Sequence, residues 1–351
     1  MAPEKDSRNA FPEDPPSGAR RMNLKQLAAH IGLSPTTLSW VLNDAPAAAS
    51  IPQETKDRIY AAAEEFNYRP NYLARSFRVQ KTHTLGVIVP ELSDGYSAMV
   101  LSGVEETLLE AGYFYLLASH RHRDNLLRHY PQMFMDRRVE GVLAVDTACS
   151  HLTDLPVVSI SGQETKGVTS IALNHDRAAE IALDHLISLG HRDIAFIKGQ
   201  DFSSDTEVRW NAILKAAGQR GIRVRSELQV QLVGDSPSPE IGYRAAKEII
   251  DGGAHFTALF AFNDISAIGA IRALEDAGRP VPDEVSVLGF DDIYSAAFNK
   301  PALTTIRQPL FEMGRLAAKT LLEMLAEGFN AKPAALMVEP ELIIRRSTAA
   351  I

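Results

Sequence analysis

Four apolar runs in this chain end in side chains able to bind a ligand or do chemistry. Leu85–Val89 leads into Pro90-Glu91-Leu92-Ser93-Asp94-Gly95-Tyr96-Ser97. Ile194–Ile197 leads into Lys198-Gly199-Gln200-Asp201-Phe202-Ser203-Ser204-Asp205-Thr206, with Arg209 just beyond. Ala258–Phe262 ends in Asn263-Asp264, and Val285–Phe290 ends in Asp291-Asp292. Carboxylates and an amide accept from vicinal hydroxyls, a guanidinium donates in a fork, and an aromatic ring covers the apolar face of a sugar. The set suits a polyhydroxylated ligand. Asn263 and Asp264 have a second reading, as the cap of the helix that follows. Asp292 reads as solvated surface. An enzyme could use the same carboxylates, but no GxSxG elbow, HExxH, GxxxxGK[ST] or GxGxxG after the first strand is present. The ten histidines show no metal-cage spacing, and His120 and His122 in SHRHRD read as a solvated loop. No catalytic residue, metal or cofactor is expected.

These groups need a scaffold that brings strand ends together. From Leu85 onwards short apolar runs alternate with helical periods: Met99–Ala111, Tyr113–Ala118, Leu126–Asp136, Gly141–Val145, Val157–Ile160, Ala178–Leu189, Arg209–Arg220, Glu240–Ile250 and Ile265–Ala277 lie among those named above. Such alternation calls for parallel sheets with helices on both faces. The number of units suggests two doubly wound subdomains. Ligands in these sheets sit beyond the carboxyl ends of the strands, where the polar groups fall.

The first fifth of the chain is different. Leu24, Leu27, Ala28 and Ile31 recur at helical spacing, Gly32 breaks the period and Leu33 plugs the turn. Ser34 is placed to cap a second helix with Pro35 at its first position, where no N–H is needed. Leu38, Val41 and Leu42 form its buried stripe, leaving Thr36, Ser39, Trp40 and Asn43 outward. This predicts a helix-turn-helix, although an ordinary helical hairpin would share the pattern. An Ala-rich loop, Ala45–Ser50, precedes a third amphipathic helix over Glu54–Asn67. Pro70 then ends the bundle, and Asn71–Arg78 could form two further turns, marginal without a partner surface.

Composition narrows the classes. A hydrophobic fraction of 45% with 23% charged residues is that of an ordinary soluble protein, and no run nears the roughly 18 apolar residues of a membrane span. The first 21 residues are polar and Pro-rich, without the apolar core of a secretory signal, and are expected to be a disordered tail. Cys149 is the single cysteine, so an internal disulfide is excluded and a cytoplasmic protein is expected. Net charge is −8, yet nine basic and five acidic residues between Arg20 and Lys81 give that segment +4, leaving −12 on the rest. A basic head on an acidic body concentrates phosphate attraction in the head.

Taken in order, the helix-turn-helix, YRPNYLARSFR, SLGHRDIAFI, FNDISAIGAIRALEDAG, VPDEVSVLGFDD and PALTTIRQP resemble the LacI–GalR family of bacterial transcription regulators, from about Met22 to the end. The resemblance implies a helix-turn-helix domain over 22–68, a hinge helix and linker over 69–83, and a periplasmic-binding-protein-like body over 84–348. In that body the N-subdomain is about 84–176 plus 309–337, and the C-subdomain about 177–307 plus 338–346. It implies DNA contacts from Ser34, Pro35, Thr36, Ser39, Trp40 and Asn43, and from Asn71, Ala74 and the wedging Phe77 of the hinge. It places Tyr96, Ser97, Ser203, Asp205, Arg209, Phe260, Asn263 and Asp291 at the small-molecule site, with Gln308 near it. Two positions depart from the family. Trp40 stands where Arg or His is usual and cannot pair bidentately with guanine; it packs on a thymine methyl or makes a protein contact. Phe77 stands where Leu is usual and is still able to wedge.

The implied protein is a repressor controlled by a sugar or related metabolite, a homodimer on palindromic operator DNA, with no membrane partner. The alternatives are a plain solute-binding protein, which has no use for a DNA head, and a sugar-active enzyme, which lacks its motifs.

Overall fold

The computed structural model describes residues 22–69 apart from 44, and 81–351 apart from 93, 94, 153, 162–164, 235–237 and 329–333. The chain divides into two compact units that meet between Thr82 and His83.

In the first unit, α1 (Leu24–Ile31) starts at a capping box that the apolar spacing did not reveal. Asn23 Oδ1 accepts from the Gln26 N–H and Gln26 Oε1 accepts from the Asn23 N–H, each at 3.0 Å. Gly32, at φ +70°, closes the helix in a conformation that side-chain-bearing residues rarely adopt. Ser34 Oγ accepts from the Thr37 N–H at 3.0 Å and Pro35 opens α2 (Pro35–Leu42), as its position in the sequence predicts. Leu27, Leu38, Val41 and Ile59 are buried against one another, with Ala62 from α3 (Gln53–Glu65). The Ala-rich segment is a 3₁₀ turn, Pro46–Ser50, which inserts Ala48 into this small core. Arg58 Nη2 donates to Ile31 O and Tyr60 Oη to Val41 O, so α3 satisfies carbonyls at the ends of both earlier helices.

The second unit holds two sheets. Its elements run β1 (Thr84–Val89), α4 (Tyr96–Glu110), β2 (Phe114–Ser119), α5 (Asp124–Asp136), β3 (Val142–Val145), β4 (Val157–Ile160), β5 (Thr169–Leu173) and α6 (His175–Ser188). They continue with β6 (Ile194–Lys198), α7 (Ser204–Gln219), β7 (Gln229–Gln231), α8 (Pro239–Asp251), β8 (Ala258–Ala261), α9 (Asp264–Asp276), β9 (Ser286–Asp291) and α10 (Tyr294–Phe298). The last are β10 (Thr304–Arg307), α11 (Leu310–Ala326), β11 (Ala335–Val338) and β12 (Glu341–Ile343). The first sheet has the order β11-β5-β4-β3-β1-β2, all parallel. The second has the order β12-β10-β9-β8-β6-β7, parallel except that β12 runs against β10. This is the doubly wound pair that the alternation predicts. Central strands such as β3, β4 and β9 are buried throughout, so they read as unbroken apolar runs rather than alternating ones. The chain passes from the first sheet to the second between β5 and β6, returns after β10, and crosses again between β11 and β12.

Helices α4 and α11 approach at backbone distance. A Cβ on Gly103 would lie 1.9 Å from Phe311 O, and one on Gly314 2.0 Å from Val100 O. Gly103→Ala should therefore force the helices apart and cost about 1–3 kcal/mol of body stability. Gly218, on the open face of α7 with nothing within 4 Å, is the contrast: Gly218→Ala should stabilise by about 0.5–1 kcal/mol. Thermal unfolding of the two variants should move in opposite directions; a shift of the same sign would contradict this packing.

Candidate effector cleft and nucleic-acid interface

On the second helix of the head, Ser34, Pro35, Thr36 and Trp40 are exposed, Trp40 at 37%. Ser39 and Asn43 are not outward, as the helical period had suggested. Ser39 is buried, with the 3₁₀ turn at Pro46–Ser50 folded back beside α2. Asn43 is the C-cap residue, half-buried, with its Nδ2 donating to Ser39 O at 2.7 Å. Asn71, Ala74 and Phe77 lie outside the described residues.

In the body, the carboxyl ends of β1, β2, β3, β6, β8 and β9 converge on a cleft. Three of the residues that end strands here sit in the left-handed region: Asp146 after β3 at φ +39°, Ser161 after β4 at φ +54°, and Asp291 closing β9 at φ +109°. Such backbones cost on the order of 1–3 kcal/mol each and concentrate where function requires them.

Arg209, one turn into α7, is the fixed centre. It is only 4% exposed, and its guanidinium carbon lies 3.7 Å from the Phe290 ring centroid and 4.3 Å from that of Phe262. Nη1 donates to Phe262 O and Nη2 to Asp205 Oδ2 at 3.4 Å. Its Nε finds no acceptor among the described residues. A planar cation between two rings is held by both stacking and charge.

Around it stand the other carboxylates. Asp291 Oδ1 accepts from Gln308 Nε2 at 2.7 Å; burial pushes this acid up to about 6, against the opposing pull of Arg209. Asp146 accepts from the Ser204 hydroxyl, and burial together with the neighbouring charge of Asp205 pushes it up to about 7. Tyr96 Oη donates to Ser161 Oγ at 2.7 Å, and burial beside these acids holds its hydroxyl well above the usual range, so it stays a neutral donor.

Of the sequence-selected residues, Tyr96, Ser97, Ser203, Asp205, Arg209, Asn263 and Asp291 line this cleft. Asn263 also caps α9, its Oδ1 accepting from the Ser266 N–H at 2.9 Å, so both readings of it hold. Phe260 is not at the cleft. It is 2% exposed within the second sheet, facing Phe196, because β8 ends at Ala261 and only residues past the strand reach the rim. Phe262 takes the lining position instead. Gln308 stands behind Asp291 rather than on the wall.

Neighbouring expectations also change. Asp264 is a fully buried structural acid, accepting from Thr305 Oγ1 and the Ile293 N–H. Asp292 is not solvated surface: its buried carboxylate accepts from Arg307 and Arg345 at 2.8 and 2.6 Å. His120 is buried with Nε2 3.1 Å from Thr147 Oγ1, and burial pushes it down to about 4. His122 lines the cleft with its ring 3.7 Å from that of Phe202. Asp146 was missed, and Gln200 and Phe202 line the cleft within the loop after Ile194–Ile197 without having been selected as site residues. The strand-end rule applied to Val142–Val145 would have found Asp146.

With this geometry in hand, the likeness to known proteins is specific. Residues 23–71 match the family described as bacterial regulatory proteins, lacI family, and residues 183–348 match the periplasmic binding protein-like domain. The chain is 34% identical over 339 residues to the HTH-type transcriptional repressor PurR of Yersinia pestis bv. Antiqua (strain Antiqua), covering 93% of this chain and 96% of that protein. The chain belongs to the lacI family. It is a DNA-binding transcriptional regulator with an effector-binding body, not an enzyme. The lac repressor dimer bound to operator and the anti-inducer ONPF shares the fold, with TM-score 0.85 at 23% identity over 94% of this chain and all of that one. The transcriptional regulator CelR–cellobiose complex superposes with TM-score 0.68 at 26% identity, over 93% of this chain and all of that one. Among the described residues of this lacI-family chain no acidic, histidine or cysteine cluster could hold a metal, and no helix is long and apolar enough to cross a membrane.

The raised acids give the body a pH signature. The folded protein keeps a proton on Asp146 that the unfolded chain gives up, so this group's contribution is greatest in acid and declines as pH rises from about 4 to about 7. Asp146→Asn removes that decline. Relative to the parent, the variant should gain stability between about pH 5 and pH 7.5 in thermal unfolding; parallel pH profiles would contradict the assignment.

Proposed function

We propose that the protein is a cytoplasmic homodimeric repressor that binds a palindromic operator, with affinity set by a sugar or related polar metabolite in the body's cleft. The observation that carries the reading is the pairing, in one chain, of a capped helix-turn-helix whose second helix exposes Pro35, Thr36 and Trp40 with a cleft built on a buried, ring-clamped Arg209. In this reading residues 22–68 form the DNA-binding head, 69–83 the hinge and linker, and 84–348 the body. The N-subdomain is about 84–176 plus 309–337, and the C-subdomain about 177–307 plus 338–346.

Ser34, Pro35, Thr36 and Trp40 face DNA, joined by Asn71, Ala74 and Phe77 of the hinge; Ser39 and Asn43 brace the helix from behind. Trp40 offers an apolar face and a single donor, which suits a thymine methyl better than a guanine edge. The structure of the lac repressor dimer on its operator supports the dimer and the operator. CelR with cellobiose and the Enterococcus faecium regulator with ribose support a sugar in the cleft.

Coupling follows from where the cleft lies. Its wall is shared by both subdomains, and Asp291 is tied to Gln308, the residue at which the chain crosses back to the first sheet. A ligand that draws on Asp291 and Arg209 favours one relative setting of the subdomains. It shifts operator affinity only as far as it discriminates between the DNA-binding and free settings.

Selection from a random duplex library should enrich a palindrome with a flexible central pyrimidine–purine step. Trp40→Ala should relax preference at one symmetric pair of positions, costing about 1–3 kcal/mol per half-site. Phe77→Ala should weaken operator binding and reduce the bend. Enrichment of no sequence, with only salt-sensitive binding, would overturn the reading.

A further inference from the structure

We propose that Gln200 is a specificity-determining residue of this cleft, its side-chain amide pairing with one hydroxyl of a ring-shaped effector. This deepens the reading of the cleft as the effector site and rests on it.

Gln200 lines the cleft yet is only 4% exposed, and its Nε2 finds no acceptor among the described residues. Buried polar atoms in folded proteins are overwhelmingly paired, and one left alone costs the fold its desolvation. Such a donor in the wall of a binding cleft is explained by a partner that arrives with the ligand. An apolar side chain would serve the fold better at this position, which separates a recognition role from a packing role.

The backbone holds that amide where it is. Gly199 and Gln200 directly follow β6. Gly199 O accepts from Gln231 Nε2, and Gln200 O accepts from Thr206 Oγ1 at 2.7 Å and from the Ser203 N–H at 3.2 Å. A Cβ on Gly199 would lie 2.3 Å from Thr206 Oγ1 and 2.5 Å from the Phe262 ring, so only glycine lets the strand end approach that ring. Phe262 is in turn one of the two rings that clamp Arg209. Gln200 therefore shares a mount with the Arg209 clamp. A donor fixed in this way discriminates sharply, because it cannot move to suit a ligand that lacks its partner.

The class of partner follows from the groups around it. An amide can turn end for end about its last bond, and a hydroxyl both donates and accepts, so a hydroxyl satisfies Gln200 in either orientation. A carboxylate or phosphate oxygen only accepts. Arg209 Nε, buried on the same second-sheet wall, also finds no acceptor among the described residues, and a second ligand oxygen would supply one. Phe202, 43% exposed, stacks with His122 at 3.7 Å between ring centroids, and both line the cleft. They provide a flat apolar surface for a ring face. Two oxygens on a ring with an apolar face meet all three demands.

The test starts with native mass spectrometry of the full chain, offered glucose, galactose, mannose, ribose and cellobiose and then a pooled extract of small metabolites. The compound retained most tightly is compared with its single-deoxy analogues, in the parent and in Gln200→Met. In the parent, removal of the hydroxyl that meets Gln200 should weaken binding about tenfold or more, about 1.4 kcal/mol. In Gln200→Met that one penalty should fall below about twofold, while the penalties at the other hydroxyls stay as they are. A merely structural amide would leave every penalty alike in the two proteins. Ligand-free Gln200→Met should melt no lower than the parent, because it loses a buried donor that has no partner. Identical penalties in parent and variant, or retention only of a compound without hydroxyls, would overturn the role of Gln200 while leaving the cleft an effector site. Retention of nothing from panel or extract would overturn both.

Discussion

A guanidinium almost fully removed from water must be neutralised and held, and the body of this protein is arranged around doing that for Arg209. Its charge is met by Asp205 one turn earlier on the same helix, its donor by the carbonyl that follows β8, and its faces by one ring from β9 and one from just beyond β8. Those contacts fix two strand ends and a helix start relative to one another. Truncating the side chain would leave Asp205 and Asp291 buried with less compensation, a loss on the order of 3–5 kcal/mol for broken buried pairs. The cleft is therefore preorganised before any ligand arrives. The two subdomains are joined by the crossings and by contacts across the cleft such as Asp146 with Ser204.

The crossings are anchored on the second-sheet side. Arg307, the last residue of β10, is bonded to Asp292 and Glu341; Asp292 also holds Arg345. This network ties the strand before one crossing to the strand after another, so the two crossings share a single mount. Gln308, next along the chain, donates to Asp291, which lines the cleft. A contact in the cleft is thus one hydrogen bond away from the backbone that changes sheets. That route is local, and it requires no long chain of side chains to carry a signal.

Much of this was legible in the residues. Periodicity gave the two parallel sheets because their central strands are buried on both faces, and Ser34-Pro35 gave the start of α2 because capping chemistry is local. Elements with little apolar signal escaped: β7 has three half-buried residues, and β11 and β12 lie at sheet edges. Side-chain direction was harder. Phe260 and Phe262 are indistinguishable within one apolar run until the strand's last residue is known. Ser39 looks outward from helical spacing alone, yet it is buried in the fold, where the 3₁₀ turn lies beside α2. Asp146 directly follows Val142–Val145 and was within reach of the strand-end rule, but its place opposite Ser204 is set by the packing of a helix from the other sheet.

In the proposed function, occupancy of the cleft and binding of the operator are one linked equilibrium. The most direct test is the operator dissociation constant with and without a pool of small metabolites, for the parent chain and for Arg209→Ala. Linkage predicts a change of about tenfold or more in the parent and little or none in the variant. An equal response in both proteins, or no response in the parent, would contradict it.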